Sequence, residues 1–126
     1  MHYIWATWQR LPLIAPNVEW RVYDTIVVKC RELKCEPIAI GGTEDHIHLL
    51  VQLASVTSVA KLVQEVKGAS SHLMNHELTP NTFFRWQISY GALTVDKPGL
   101  PRLETYIRNQ KTHHQQGLLM PEWEVQ

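Results

Sequence analysis

The sequence predicts an α+β fold of the ferredoxin-like class, in which an antiparallel sheet carries two helices on one face and a third helix follows near the C-terminus. Three observations predict it. Strand-like and helix-like segments succeed one another in the order βαββαβ. The two middle strands are separated by a short turn containing glycine, which predicts a hairpin. No low-complexity linker or internal repeat interrupts the 126 residues, so we expect one domain over residues 1–126.

The first strand and the first helix come from neighbouring segments. Tyr3 to Thr7 is aromatic and β-branched, which is typical of a strand, and it ends near Leu11-Pro12. Pro16-Asn17 then supplies the start of a helix. The apolar residues that share one face of this helix are Val18, Val22, Ile26, Cys30 and Leu33.

A hairpin follows the first helix. Glu36 to Ile40 predicts the second strand, Gly41-Gly42-Thr43 a turn, and His46 to Leu53 the third strand. Strands joined by so short a connection pair antiparallel.

The rest of the chain supplies two more helices and the end of the sheet. Ser55 to Ser58 can cap a second helix. Its apolar positions recur at helical intervals at Val59, Leu62, Val63, Val66, Ala69 and Leu73. Phe83 to Trp86 and Tyr90 to Val95 predict the last sheet segments. The third helix begins at Pro98-Gly99 or at Pro101 and carries an apolar stripe made of Leu100, Leu103 and Ile107.

Composition restricts the classes of function. Twelve Lys and Arg balance twelve Asp and Glu, so the net charge does not favour binding along a long duplex, and any contact with nucleic acid is expected to be local. No apolar run approaches the roughly 18 residues of a membrane span, which predicts a cytoplasmic protein without a membrane partner. Cys30 and Cys35 form no metal-binding or disulfide pattern, and we expect them to be reduced packing residues.

His46-Ile47-His48 is the main candidate for chemistry. Side chains alternate along a strand, so the two imidazoles share a face about 7 Å apart, an arrangement that suits a divalent ion carrying a phosphate. On the third helix, Tyr106 and Gln110 lie one turn apart at the edge of the apolar stripe, from where the phenol can reach the sheet. The alternatives are ordinary histidines on an exposed strand face and a tyrosine that only packs.

Five blocks of the sequence occur in a family's order and spacing. They are the region Tyr3 to Leu13, the run Asp45 to Val51, Lys67 to Ser71, Trp86-Gln87 with Tyr90-Gly91, and Tyr106 to Gln110 with His113-His114. Through these blocks the chain resembles the single-tyrosine HUH transposases of the smallest bacterial insertion sequences, which belong to the IS200-like transposases and include the REP-associated tyrosine transposases. Gly42-Thr43-Glu44 stands where many relatives have Met-Pro.

The resemblance implies both the chemistry and the partners. His46 and His48, with Gln110, would bind Mg²⁺ or Mn²⁺, although imidazoles in general favour zinc, copper, iron or nickel. Tyr106 would attack a phosphodiester of single-stranded DNA and form a 5′-phosphotyrosine that a second strand can resolve. Tyrosine has an ordinary pKa near 10, so such a site must assist the attack. The resemblance also implies hairpins at the ends of the element and a homodimer, with the site completed in cis or in trans.

Two other functions fit the same residues. A domesticated or inactive DNA-hairpin binding protein would keep the fold without the chemistry, and a two-histidine phosphodiesterase would release its product to water without forming an adduct. Several residues around the site also have two interpretations. Glu44 and Asp45 could orient an imidazole, but we expect them to be turn residues. His113 and His114 could be metal ligands, but we expect them to lie at a solvated helix end. Trp86 and Tyr90 either stack on bases or pack in the protein.

Overall fold

The structure is a computed structural model that describes residues 1–80 and 82–110. Short 3-10 turns lie at Trp8–Arg10 and Lys97–Gly99, and a π-helical turn, Met74–Leu78, extends the second helix. The main elements are, in chain order, β1 (His2–Ala6), α1 (Glu19–Glu32), β2 (Glu36–Gly42), β3 (His46–Gln52), α2 (Val59–Leu73), β4 (Gly91–Leu93) and α3 (Leu100–Arg108).

The four strands form one antiparallel sheet in the order β2-β3-β1-β4. In this order β1 and β3 are the central strands, which is the arrangement of a split βαβ fold. The predicted α+β, ferredoxin-like class is therefore confirmed. Residues of β1 and β3 lie opposite one another in a regular register, which pairs His2 with Leu50, Ile4 with His48 and Ala6 with His46.

Both faces of the sheet are covered. The larger core lies against α1 and α2 and includes Tyr3, Trp5, Ile47, Leu49 and Val51 from the two central strands. The opposite face carries α3 and a smaller apolar cluster, whose buried members are Ala39, Leu50, Leu103, Tyr106 and Ile107. Ile47, Leu49 and Val51 of β3 lie in the larger core and Leu50 lies in the smaller one, and the buried polar residues of this strand, His46 and His48, lie on the side of α3.

A close backbone contact holds α3 against β2. Gly41 is paired with His48, so the position of its missing side chain is on the face that α3 covers. A methyl group built there would overlap the backbone carbonyl oxygen of Ile107. Glycine is therefore required at this point because the helix backbone occupies the space of a side chain. The helix begins where the sequence predicted, after a turn in which the side chain of Asp96 accepts a hydrogen bond of 3.0 Å from the backbone N–H of Gly99.

Two local predictions are wrong. Gly41 and Gly42 are not turn residues, since they extend β2 and pair with His48 and Ile47. Phe83 to Trp86 is not a strand, because only Trp86 makes a single bridge, to Thr7.

The side chain of Asn75 explains the second of these differences. It binds both backbone groups of Phe84, accepting from the N–H at 3.1 Å and donating to the carbonyl at 3.0 Å. A side chain thus supplies the hydrogen bonds that a neighbouring strand would otherwise make.

Two expectations from composition can be compared with the structure. Cys30 and Cys35 are free and buried, in agreement with a packing role. None of the helices within residues 1–80 and 82–110 has the length and hydropathy needed to cross a bilayer. His113 and His114 lie outside the described residues.

Candidate active site

The two histidines of β3 lie beneath α3 and are buried. His46 is 1% exposed and His48 is 0% exposed, so they are not ordinary histidines on a solvated strand face. Their ring centroids are 5.1 Å apart and the ring planes are inclined at 73°. The small side chain of Ala6 lies opposite His46 in the neighbouring strand, which leaves space on this face of the sheet.

Tyr106, in α3, and Gln110, two residues beyond the end of that helix, come to the same place. The ring of Tyr106 packs edge-on against His48 with centroids 6.0 Å apart. The Oε1 atom of Gln110 lies 3.2 Å from Nε2 of His46, and its Nε2 donates to the backbone carbonyl of Tyr106 at 3.2 Å. The structure therefore brings together, within one chain, all four side chains that the sequence singled out.

Asp45 and Thr43 contact the other nitrogen of His46. Nδ1 of His46 lies 2.8 Å from Oδ1 of Asp45 and 2.9 Å from Oγ1 of Thr43, whose hydroxyl also donates to the carboxylate at 3.0 Å. The hydrogen bond from His46, together with the nearby Arg10 and Thr43, lowers the pKa of Asp45 from its usual value to about 2, against the opposing effect of burial.

The ionised carboxylate determines the tautomer of His46. A carboxylate can only accept hydrogen bonds, so Nδ1 of His46 carries the hydrogen and, in the neutral ring, the lone pair lies on Nε2. That nitrogen lies 3.2 Å from Oε1 of Gln110, an amide oxygen that also only accepts, so the neutral ring and the amide can both offer lone pairs to one cation. The sequence favoured a turn role for Asp45, and that interpretation is incomplete, because the residue lies in the turn before β3 and also orients an imidazole.

His2 also lies beside these residues, although no motif in the sequence indicates it. It is 0% exposed, and its Nε2 lies 2.9 Å from Nδ1 of His48. The available signal was the alternation of β1, in which His2, Ile4 and Ala6 share a face. That signal is useful only once the register between β1 and β3 is known.

The donor atoms define what the site can bind. Among residues 1–80 and 82–110, no group of three or more His, Cys, Asp or Glu side chains is arranged to hold a metal ion. The candidate metal ligands are not such a group, because they are two imidazoles and the side-chain amide of Gln110. Its convergent atoms, Nε2 of His46 and Oε1 of Gln110, are chemically suited to a divalent cation whose remaining positions are filled by phosphate or water oxygens.

A small cavity opens beside these residues. Its volume is about 150 Å³. It lies between the start of α1, the end of β2 and the end of α3, and its lining consists of Glu19, Tyr23, Ile40, Gly41, Gly42, Arg108, Asn109 and Gln110. Gln110 therefore faces both His46 and a space that solvent-borne groups can enter.

The two aromatic candidates for base stacking have different positions. Trp86 is a core residue, because it is 6% exposed, packs edge-on against Trp5 with centroids 5.9 Å apart, and donates from Nε1 to Oγ of Ser70 at 2.9 Å. Tyr90 is 38% exposed and lies next to β4. Packing is thus the correct interpretation for Trp86.

The fold and the site together define a ferredoxin-like α+β protein in which paired imidazoles on a central strand face a phenol and an amide on a covering helix. Comparison with known families identifies the family to which a protein with this fold and site belongs. The family model "Transposase IS200 like" matches residues 1–110, and the chain belongs to this family. The predicted family is therefore confirmed.

Two solved structures resemble the fold over most of its length. A Deinococcus radiodurans R1 protein assigned as a transposase is 28% identical, with a TM-score of 0.67 over 86% of this chain and 88% of that one. A REP-associated tyrosine transposase bound to a REP hairpin is 13% identical, with a TM-score of 0.68 over 94% of this chain and 68% of that one, and this likeness concerns the fold alone. No curated protein matches the chain.

Proposed function

We propose that this transposase is an HUH endonuclease and strand transferase that cleaves and rejoins single-stranded DNA at the ends of an insertion sequence. Tyr106 is the nucleophile, and His46, His48 and Gln110 hold a divalent metal, Mg²⁺ or Mn²⁺. The observation that carries the proposal is the meeting of α3 with β3, where Gln110 Oε1 lies 3.2 Å from His46 Nε2 and Tyr106 packs on His48. Membership of the transposase family supports DNA as the substrate.

Each residue of the site has a distinct task. When bound, the cation would polarise the scissile phosphate and stabilise negative charge that develops on its oxygens. Asp45 keeps the hydrogen of His46 on Nδ1, so the lone pair of Nε2 is directed toward Gln110. The amide of Gln110 donates a hydrogen bond to the backbone carbonyl of Tyr106, which connects the proposed metal ligand just beyond α3 to the nucleophile within it.

The proposed reaction is a transesterification at phosphorus. The phenol oxygen of Tyr106 forms a bond to phosphorus and loses its proton to water, while the bond from phosphorus to the 3′ oxygen breaks and that oxygen takes up a proton. The products are a 3′-hydroxyl and a 5′-phosphotyrosine. One phosphoester replaces another, so a second 3′-hydroxyl can reverse the step on a new strand without ATP.

The proposal extends to partners and location. The solved relative that is bound to a REP hairpin supports hairpins as recognition elements for this chain as well. We assign the activity to one domain over residues 1–126, acting as a homodimer in the cytoplasm, where its DNA is. The packing of Tyr106 against His48 of the same chain supports completion of each site in cis.

The test is covalent trapping of the DNA. The full chain is incubated with labelled single-stranded DNA from its genomic flanks, with Mn²⁺ or Mg²⁺, and adducts that survive denaturation are separated on a gel. We expect an adduct that disappears in Tyr106→Phe and after chelation. Tyr90→Phe is the matched control, since Tyr90 is a partly exposed tyrosine that belongs to neither metal ligands nor nucleophile, and it should retain the adduct.

The same experiment separates the alternative functions. A DNA-hairpin binding protein would shift the hairpin on a native gel and give no adduct under any metal condition. A phosphodiesterase would release cleaved DNA without an adduct. An adduct formed by Tyr106→Phe at the wild-type rate would remove Tyr106 from the reaction.

A further inference from the structure

We propose that His2 is a positioning residue of this site, which accepts a hydrogen bond from Nδ1 of His48 and so keeps the lone pair of His48 on Nε2. The inference rests on the proposed function in one respect, because it takes His48 as a metal ligand. It adds a residue that contacts neither the phosphate nor the tyrosine in the proposed reaction.

The geometry of the contact is that of an in-plane hydrogen bond. Nε2 of His2 and Nδ1 of His48 are 2.9 Å apart, the ring centroids are 5.1 Å apart and the ring planes differ by 22°. At that nitrogen separation, 5.1 Å is close to the largest centroid distance that two five-membered rings can have. The two nitrogens therefore lie nearly on the line between the ring centres, and the rings meet edge to edge and do not stack face to face.

The sheet fixes His2 in this position. His2 lies opposite Leu50 of β3 on one side and opposite Leu93 of β4 on the other, and His48 is two residues from Leu50 on the same face. The backbone N–H of Val51 donates to the carbonyl of Met1 at 3.0 Å, so the ladder continues past His2. The ring is thus held on a central strand, and its burial makes a lost hydrogen bond costly.

The direction of this hydrogen bond decides whether His48 can serve as the proposed ligand. Between two neutral imidazoles, one nitrogen must donate and the other must accept. If His48 donates from Nδ1, its lone pair lies on Nε2, as the lone pair of His46 does. If His2 donates, the lone pair of His48 points at His2 and is unavailable to a cation. Each imidazole of the pair would therefore have its own orienting partner, Asp45 for His46 and His2 for His48.

Three substitutions of His2 separate positioning from packing. The amide of glutamine lies about as far from the backbone as Nε2 of histidine, so His2→Gln keeps an acceptor next to His48. The amide of asparagine lies at the distance of Nδ1, so His2→Asn keeps polarity but loses the reach. His2→Leu keeps most of the volume and has no acceptor. Urea unfolding of each variant identifies those that remain folded.

The first measurement is the tautomer of His48, observed by two-bond ¹H–¹⁵N NMR of the imidazoles in the metal-free protein at a pH where they are neutral. The second is the Mn²⁺ affinity without DNA. We expect the Nδ1–H form of His48 in wild type and in His2→Gln, with Mn²⁺ affinities within about threefold of each other. His2→Asn and His2→Leu should shift His48 toward the Nε2–H form and weaken Mn²⁺ binding about 10–100-fold, while the tautomer of His46 stays unchanged.

Two results would overturn the inference. One is an unchanged His48 tautomer and Mn²⁺ affinity in a folded His2→Asn or His2→Leu variant, which would make His2 a packing residue. The other is a loss of affinity in His2→Gln as large as in His2→Asn, which would make His2 itself a ligand. Neither readout needs DNA or the adduct, so a failure of the proposed strand transfer is recorded separately, by the Tyr106 experiment.

Discussion

Replacing Gly41 with alanine tests whether the approach of α3 to β2 assembles the site. The new methyl group would overlap the carbonyl oxygen of Ile107 and lie 3.0 Å from its carbonyl carbon. Both are backbone atoms, so no side-chain rotation relieves the overlap and α3 must move. Overpacking of this kind costs about 1–3 kcal/mol, and the reduced freedom of the unfolded chain returns about 0.4–1 kcal/mol.

The expected net loss for Gly41→Ala is about 1–2 kcal/mol in the free energy of unfolding. Gly68→Ala is the matched control, because Gly68 lies inside α2 and a methyl group there meets no atom within 4 Å. It should stabilise the protein by up to about 1 kcal/mol, since alanine is the better helix former. Urea unfolding of the two variants should therefore give changes of opposite sign.

Function should respond more strongly than stability. A displaced α3 moves Gln110 away from His46 and Tyr106 away from His48, so Mn²⁺ affinity and adduct formation by Gly41→Ala should fall at least about tenfold under conditions where the variant is fully folded. Gly68→Ala should keep wild-type values for both. If Gly41→Ala is as stable and as active as wild type, the proposed role of the close contact is wrong.

Three further predictions concern single contacts. The pKa of Asp45 is about 2 in the folded protein, below its value in the unfolded chain. Its ionised carboxylate therefore stabilises the fold fully above about pH 4, and this stabilisation is lost as the pH falls toward 2. Urea unfolding gives the difference in the free energy of unfolding between wild type and Asp45→Asn. This difference should be about 1–2 kcal/mol larger at pH 5 than near pH 2, and a difference that does not change with pH would contradict the prediction. Ser70→Ala leaves the buried Nε1–H of Trp86 without its acceptor and should cost about 1–3 kcal/mol in urea unfolding, while the neighbouring Ser71→Ala changes stability by less than about 0.5 kcal/mol. Gln110→Leu should weaken Mn²⁺ binding at least about tenfold in calorimetry, whereas Gln110→Glu, which supplies a carboxylate, should maintain or strengthen it, and unchanged binding by the Leu variant would remove Gln110 from the site.

Periodicity was sufficient to predict the order of the elements. The alternation around His46 and His48 and the helical spacing of the stripe Val59 to Leu73 are physical consequences of strand and helix geometry, and both appear in the structure. Helical spacing also predicts that Tyr106 and Gln110 lie one turn apart on the third helix; α3 ends earlier, at Arg108, but Gln110 still meets the turn of Tyr106 through a hydrogen bond. The class of fold follows from these patterns because they fix which faces must be buried.

Glycine and aromatic residues predict local structure less well, because each residue type occurs in more than one structural role. A glycine pair such as Gly41-Gly42 is typical of a turn, yet in β2 the missing side chain of Gly41 leaves room for the backbone of α3. The aromatic segment that ends at Trp86 is typical of a strand, yet Asn75 binds both backbone groups of Phe84 from nine residues away in the sequence. A local sequence pattern cannot predict these long-range contacts.

The orienting partners of the histidines depend on tertiary structure to different degrees. Asp45 adjoins His46 in sequence, but whether its carboxylate turns toward the imidazole depends on the turn that Thr43 and Thr7 hold in place. His2 meets His48 only through the register of two strands that lie 46 residues apart in sequence. No sequence pattern within either strand specifies that register.

The two unequal cores of the sheet have a consequence for access to the site. Tyr106 is 3% exposed and packs between α3 and β3, so we expect a DNA phosphate to reach its phenol when α3 lifts from the strands. That motion breaks the small cluster around Leu50 and leaves the larger core beneath α1 and α2 intact. Local opening of this kind requires less free energy than global unfolding. Amide hydrogens of α3 should therefore exchange with solvent sooner than those of α2, and we expect the rate of this opening to limit how fast DNA reaches Tyr106.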